Sequence, residues 1–485
     1  MDRADTACGI DTSHTQDTIE EDKIHTIFME RIVILGGGES GYGSAVLAKV
    51  KGFDVFLTDN GQIKPEYSSV LERYNIEYEQ GGHTEERILS ADLAVKSPGI
   101  PEKAPIVRKL HECGIPVISE IEFAGRYTKG RTICITGSNG KTTTTTLVGE
   151  ILRAAGYNMA IGGNIGESFA YTVATNDKDW YVLELSSFQL DGIIAFRPDI
   201  AVLTNITPDH LDRYGYVFQN YINSKMRIMM NQRPGDCFIY GADSPVLERE
   251  VPAHHPVMDT LPFSAKSNAA WGIAVNGGAC LAPDNSFVAS ADGHSVTIDI
   301  SRMKIKGIHN VCNAEAAALA ALAAGVAPET IAETIYAFEG VEHRMEAAGT
   351  VNGVEYINDS KGTNVDSTWY ALNSMTRPTI WIAGGTDKGN NYDDLRELAV
   401  KHVKALVCMG VDNSKLVNYF TGLVPAVYDT HSLDETMRIC AEIAEQGDTV
   451  LLSPACASFD LFNNYEDRGH QFKAAVARMK EKTAK

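Results

Sequence analysis

Thr132-Ile133-Cys134-Ile135-Thr136-Gly137-Ser138-Asn139-Gly140-Lys141-Thr142-Thr143 runs from a β-branched strand through a glycine-punctuated turn into a helix. Glycine amides, a lysine and a hydroxyl at a helix start can cradle phosphates and a Mg²⁺ ion. The full G-x-x-x-x-G-K-[ST] pattern is not met, because Ile135 stands at the first glycine position. The strand–loop–helix context still points to an ATP site built by Gly137, Ser138, Asn139, Gly140, Lys141, Thr142 and Thr143.

Outward from this loop, short β-branched runs alternate with helical stretches, the pattern of parallel α/β units. Strands are expected at Arg31–Leu35, Asp54–Thr58, Leu93–Lys96 and Pro116–Ser119. A second set comprises Thr132–Thr136, Trp180–Leu185 and Ile200–Asn205, and a third Ile380–Ala383, Ala405–Met409 and Thr449–Ser453. Between Pro262 and Ile305 the text changes to short strands rich in Gly, Asn and Asp, read as a β insertion. The fold class is therefore three consecutive α/β domains. A Rossmann-like N-terminal domain spans 29–119, a P-loop ATPase-like central domain with the β insertion 120–340, and a Rossmann-like C-terminal domain 341–485. Residues 1–28, polar and without periodicity, read as a disordered tail.

A chain of 485 residues is too long for one ordinary core, and its 44% hydrophobic and 22% charged content is that of a globular protein. The net charge of -20 disfavours nucleic acid and anionic lipid as partners, so phosphate binding must be local. Nine cysteines without a C-x-x-C pair argue for the reducing cytoplasm and against a disulfide scaffold. No apolar run reaches membrane-spanning length, so no membrane insertion is expected.

Two other glycine-rich turns compete for attention. Gly36-Gly37-Gly38-Glu39-Ser40-Gly41 follows a strand and satisfies G-x-G-x-x-G, with Asp59 closing the next strand. Its physical content is a diphosphate at a helix N-terminus, whichever nucleotide carries it. Trp381-Ile382-Ala383-Gly384-Gly385-Thr386-Asp387-Lys388-Gly389 repeats the strand–loop pattern but by itself says little. Near the ATP loop, Glu184 ends a buried-looking strand on the edge where parallel strands open, a place suited to metal. His210 reaches the same edge from the following strand. By spacing alone Lys225 reads as a surface lysine.

The blocks Gly137 to Thr143, Glu184-Leu185-Ser186-Ser187-Phe188-Gln189-Leu190 and Asn205-Ile206-Thr207-Pro208-Asp209-His210-Leu211-Asp212 resemble the Mur ligases of peptidoglycan synthesis. So do His309-Asn310-Val311-Cys312-Asn313-Ala314, Glu342-His343-Arg344-Met345-Glu346, Asn358-Asp359-Ser360-Lys361-Gly362-Thr363-Asn364 and Leu452 to Asp460, together covering the chain from about Met29 to its end. The resemblance implies an ATP-dependent ligase joining D-glutamate to UDP-N-acetylmuramoyl-L-alanine through an acyl phosphate, acting as a monomer. It places Glu39, Ser40, Asp59, Asn60, Ser97 and Gly99 on the UDP-sugar, and Asn164 near the reacting carboxylate. Asn310 and Asn313 fall near adenine, and Arg344 and Asp359 on the phosphate and ribose sides. Lys361, Thr363, Lys388, Ser458 and Tyr465 match the D-glutamate positions. Thr142 and Glu184 would hold a first Mg²⁺, and His210 with a carbamate on Lys225 a second. Rival readings are a sister ligase with a different amino acid, an NAD-dependent oxidoreductase using Gly36 to Gly41, and a non-catalytic nucleotide-binding regulator.

Overall fold

The computed structural model describes residues 30–266, 277–387 and 389–483; the expected tail, 1–28, lies outside the described residues. Three sheets follow one another along the chain. In the first, the strands Glu77–Gln80, Asp54–Asp59, Arg31–Leu35, Leu93–Lys96 and Val117–Ser119 lie side by side, all parallel. The run Ile32-Val33-Ile34-Leu35 is buried on both faces, as a central parallel strand requires. Glu77–Gln80 has no buried residue and no apolar alternation, which is why it was absent from the expected set.

The second sheet orders its nine strands as His294–Asp299, Ser286–Ala291, Gly278–Leu281, Asp259–Ser264, Cys237–Gly241, Ile200–Leu203, Arg131–Thr136, Trp180–Glu184 and Met159–Gly163. Arg131–Thr136 therefore sits between Ile200–Leu203 and Trp180–Glu184, parallel to both. Their C-terminal ends gather the phosphate loop, Glu184 and Thr204–Asn205 on one edge. The expected β insertion is continuous with this sheet. Asp259–Ser264 pairs in parallel with Cys237–Gly241, and an antiparallel ribbon then extends the sheet to its edge. The helix Ile308–Ala323 packs on it through fully buried alanines, Ala316 to Ala318 and Ala320 among them.

In the third sheet the order is Glu346–Val351, Val354–Asn358, Thr449–Leu452, Thr379–Ala383, Val403–Met409 and Val427–Thr430. Its first two strands form an antiparallel hairpin around Asn352 and Gly353, at φ 51° and 77°, the left-handed pair that a tight two-residue turn needs.

The cores are not divided evenly among the sheets. Ile32, Val46 and Leu57 of the first belong to the same apolar cluster as Phe169, Tyr181 and Leu203 of the second. The helices Glu39–Val50 and Phe169–Thr175 meet there so closely that a Cβ on Gly43 would lie 1.9 Å from Ser168 Oγ. Tyr42 stacks on Tyr67 at 4.9 Å and turns its edge to Tyr171 at 5.3 Å. The third sheet is packed only by its own residues, such as Trp381, Leu406 and Phe420 on one face and Tyr356, Val450 and Phe472 on the other. Among the described residues no helix is long and apolar enough to cross a membrane.

Candidate active site

The phosphate loop leaves the strand with Gly137 at φ 148° and enters the helix Lys141–Ala154 with Gly140 at φ 83°. Neither position has room for a side chain: a Cβ would come within 1.9 Å of Thr204 Oγ1 at Gly137 and 2.3 Å of Asn313 Oδ1 at Gly140. Lys141 Nζ folds back to donate to the carbonyls of Gly137 and Ser138, at 2.9 and 2.8 Å. Ser138 Oγ donates to the Thr207 carbonyl at 2.8 Å and lies 3.1 Å from Tyr221 OH. Thr142 and Thr143 are buried in the first helical turn.

Glu184 is the last residue of its strand and only 1% exposed. A capping box between Ser186 and Gln189 starts the next helix at once, so the chain turns directly after the carboxylate. Glu184 Oε1 accepts from Asn164 Nδ2 at 2.8 Å, while Oε2 is buried with no partner among the described residues. An unpartnered carboxylate oxygen on the strand edge that carries the phosphate loop fits a hard cation such as Mg²⁺.

Lys225 overturns the reading from spacing. It lies in the helix Phe218–Met226 but is 2% exposed, and its Nζ donates to the Gly137 carbonyl at 2.8 Å. Burial first, then the neighbouring Lys141 ammonium, holds its pKa well below that of an ordinary lysine. His210 sits in the left-handed region at φ 51°, with its Nε2 3.7 Å from Asp209 Oδ2 and its ring edge-on to Phe188.

The third sheet closes over this loop. Lys361 Nζ donates to Thr142 Oγ1 at 2.8 Å and stands 5.1 Å from the centre of the Tyr465 ring, and burial lowers its pKa to about 8. Asp359, raised to about 6 by burial, accepts from Ser453 Oγ at 2.8 Å. Arg344, Asp359, Asn310 and Asn313 line a cleft of about 1180 Å³, part of it open to solvent, with Phe263 and Tyr370 as its apolar wall. His309, pushed down to about 4 by burial and by Arg344, is a neutral group at the same cleft. Thr363 is half-buried beside Lys361, whereas Ser458 is buried in a separate turn. Both stand on a scaffold anchored by Arg468, 1% exposed, which donates to Ser360 Oγ and to the carbonyls of Ser360, Cys456 and Gly384. Lys388 lies outside the described residues.

Sequence reasoning did not find Asp366, Ser367 and Arg213. Asp366 and Ser367 contact Asn139, and Arg213 Nη2 donates to the Pro98 carbonyl at 3.4 Å, joining the His210 loop to the Ser97–Gly99 turn. Their pattern in the chain is that of solvated helix and loop residues, so no periodicity marks them. The triad Glu342, His343 and His470 has metal-ligand chemistry; among the described residues His343 Nε2 is buried without a partner, while the other groups are engaged. Lys473 pairs with Glu342, and His343 Nδ1 lies 2.9 Å from Asn358 Nδ2.

In the first domain Asp59 stands half-buried beside the glycine turn. Its two oxygens accept from Gly37 N–H at 2.6 Å and Gly61 N–H at 2.7 Å, so it braces the glycine turn. Ser97 Oγ, buried without a partner among the described residues, faces that turn; a Cβ on Gly36 would meet it at 2.7 Å. Glu39 and Ser40 open the helix behind the turn, with the Glu39 carboxyl raised by burial and by Glu167. Asn60 and Gly99 are exposed at the rim.

Three family models match the chain in order. They are a MurD N-terminal domain over residues 31–106, a Mur ligase middle domain over 135–321 and a Mur ligase glutamate ligase domain over 343–456. The chain is 51% identical over 447 residues to the UDP-N-acetylmuramoylalanine–D-glutamate ligase of Christiangramia forsetii, covering 92% of this chain and 99% of that one. Against the enzyme of the same name from Bacteroides fragilis it is 50% identical over 449 residues, with 92% and 99% covered. A solved MurF ligase from Thermotoga maritima, in complex with ADP, shares the fold at a TM-score of 0.57 and 15% identity, over 89% of this chain and 97% of that one.

Proposed function

The chain belongs to the Mur ligase family, and from that premise we propose how its residues divide the work of making one amide bond. It is an ATP-dependent ligase that adds D-glutamate to UDP-N-acetylmuramoyl-L-alanine, a step of peptidoglycan precursor synthesis. The alanyl carboxylate attacks the γ-phosphorus, giving an acyl phosphate and ADP. The free amine of D-glutamate then attacks the acyl carbon, the C–N bond forms, the C–O bond to phosphate breaks, and phosphate leaves.

The observation that carries this reading is the charge arrangement at the loop. The ammonium groups of Lys141 and Lys361, with Arg344 close by, converge on a strand edge where Glu184 Oε2 has no partner. Such a cluster is suited to a bound polyanion and its cation. Lys141 turns from its own carbonyls to the β- and γ-phosphates. Thr142 and Glu184 would hold one Mg²⁺, and His210 with a carbamate on Lys225 a second; bound there, such ions would supply charge neutralisation for phosphoryl transfer. A lysine with a depressed pKa supplies the neutral amine that carbamate formation needs.

Asn164 positions the acceptor carboxylate, and Asn310 and Asn313 hold the adenine side. Arg344 and Asp359 reach the phosphates and ribose. Lys361, Thr363, Lys388, Ser458 and Tyr465 read the two carboxylates of D-glutamate. Glu39, Ser40, Asn60, Ser97 and Gly99 hold the UDP-sugar, with Asp59 shaping the turn that presents them. The domain joins fall near Glu120 and Gly340, and the enzyme works as a monomer in the cytoplasm.

The test is ADP release in the presence of UDP-N-acetylmuramoyl-L-alanine, with amino acids added one at a time and the product weighed. D-Glutamate alone should support turnover, giving a product heavier by one glutamyl unit. Turnover with a different amino acid would overturn the third-domain assignments.

A further inference from the structure

We propose that Asp366 and Ser367 are positioning residues that tie the shape of the phosphate loop to docking of the third domain, by gripping the side chain of Asn139. The proposal rests on the phosphate loop being the ATP site.

Asn139 is held from two sides. Its backbone belongs to the central domain: the N–H donates to Asn205 Oδ1 at 2.9 Å, and the carbonyl accepts from Thr204 Oγ1 at 2.6 Å and Asn205 Nδ2 at 3.1 Å. Its side chain belongs to the third domain. Oδ1 accepts from Ser367 Oγ at 2.6 Å, and Nδ2 donates to the Asp366 carboxylate. The same carboxylate accepts from Thr207 Oγ1 at 3.2 Å, so it spans both central-domain segments that wall the loop.

Local sequence explains why these two residues are poised there. Asn364 caps the helix Val365–Asn373 by accepting from Ser367 N–H at 2.8 Å, which fixes the first turn. Its own amide reaches Asp209 at 3.3 Å, adding a further strut to the same seam. The carboxylate of Asp366 is largely withdrawn from water, and burial raises its pKa to about 6. Its two donors across the seam are thus worth more to it than they would be on a surface.

The consequence falls on the next residue. Gly140 must hold φ 83° at the head of the helix carrying Lys141 and Thr142. With Asn139 clasped, that turn is fixed at both ends. With the third domain swung away, the side-chain half of the clasp is lost and the loop loosens around the phosphates. Acyl phosphate formation is thereby favoured only when the domain that delivers D-glutamate is docked.

The experiment compares D366A, D366N, N139A and D366A/N139A in the full chain, measuring ATP-dependent ligation and the melting temperature of each. D366A should lower kcat about tenfold or more, the loss expected for a charge-assisted hydrogen bond, with little change in KM for D-glutamate. D366N keeps an acceptor oxygen for Asn139 and should recover to within about threefold of the unmodified enzyme. The double variant should be no worse than the poorer single variant, because both remove one clasp. A kcat for D366A equal to that of the unmodified enzyme, losses that multiply in the double variant, or an effect confined to melting temperature would each overturn the clasp. Failure of the unmodified chain to ligate D-glutamate would instead overturn the functional reading beneath it.

Discussion

Glu315 should make the central domain less stable as pH rises through neutrality, and its replacement by glutamine should abolish that loss. The side chain lies in the helix Ile308–Ala323, is 0% exposed, and among the described residues neither carboxylate oxygen has a hydrogen-bond partner. Burial, with a smaller contribution from Asp243, raises its pKa to about 9 from an ordinary 4.5. The folded state therefore keeps a proton that the unfolded chain releases. The associated stability is fully present below pH 4.5, falls as pH rises, and is gone above about 9. At ~1.4 kcal/mol per pH unit, the loss at pH 7 is about 3 kcal/mol. Between pH 6 and pH 8 it changes by nearly the same amount. Glu315→Gln keeps the shape and the neutral head group of the folded state but removes ionisation from the unfolded one. Urea unfolding of the two proteins at pH 6, 7 and 8 isolates the effect. The variant should be the more stable, by a margin that grows with pH. A margin independent of pH would refute the reasoning, because it would mean that Glu315 is ionised in the fold.

Three further outcomes are expected. Arg468→Ala, which strips partners from the carbonyls of Ser360, Cys456 and Gly384, should destabilise the third domain by about 3 kcal/mol or more in a thermal melt and raise KM for D-glutamate. Gly140→Ala, forced into the left-handed region with its Cβ 2.3 Å from Asn313 Oδ1, should raise KM for ATP at least about tenfold; an unchanged KM would mean that the loop is not the nucleotide site. Lys225→Ala should cut turnover about a hundredfold or more and lose incorporation of isotope-labelled bicarbonate, and near-normal turnover would exclude the carbamate.

Much of this architecture was legible because buried parallel strands announce themselves as β-branched runs, as at Ile32–Leu35 and Ile133–Ile135. The polar edge strand Glu77–Gln80 gave no such signal, since an edge needs little apolar surface. The strand–loop–helix at Gly137 to Lys141 and the strand end at Glu184 were legible because their geometry depends on residues close together in the chain. Lys225 could not be placed by spacing, because its burial comes from packing against a strand some ninety residues earlier, where it meets Thr136 and Gly137. Asp366 was hidden for the same reason: its partners, Asn139 and Thr207, are 227 and 159 residues away. Asp59 shows how a carboxylate a glycine turn places nearby can also accept from the turn's own amides, those of Gly37 and Gly61, which sequence alone does not reveal.

The apolar cluster shared by the first two sheets has a consequence for the order of events. Ile32 and Leu57 on one side and Phe169 and Leu203 on the other cannot part without exposing a core, so these two bodies travel as one. The third is fastened to them at the loop by amides, hydroxyls and a carboxylate, all of which water can replace. The first two sheets thus form one frame with a continuous core, and the third is the part held to it by polar contacts, so the seam at the phosphate loop is where the molecule parts at least cost.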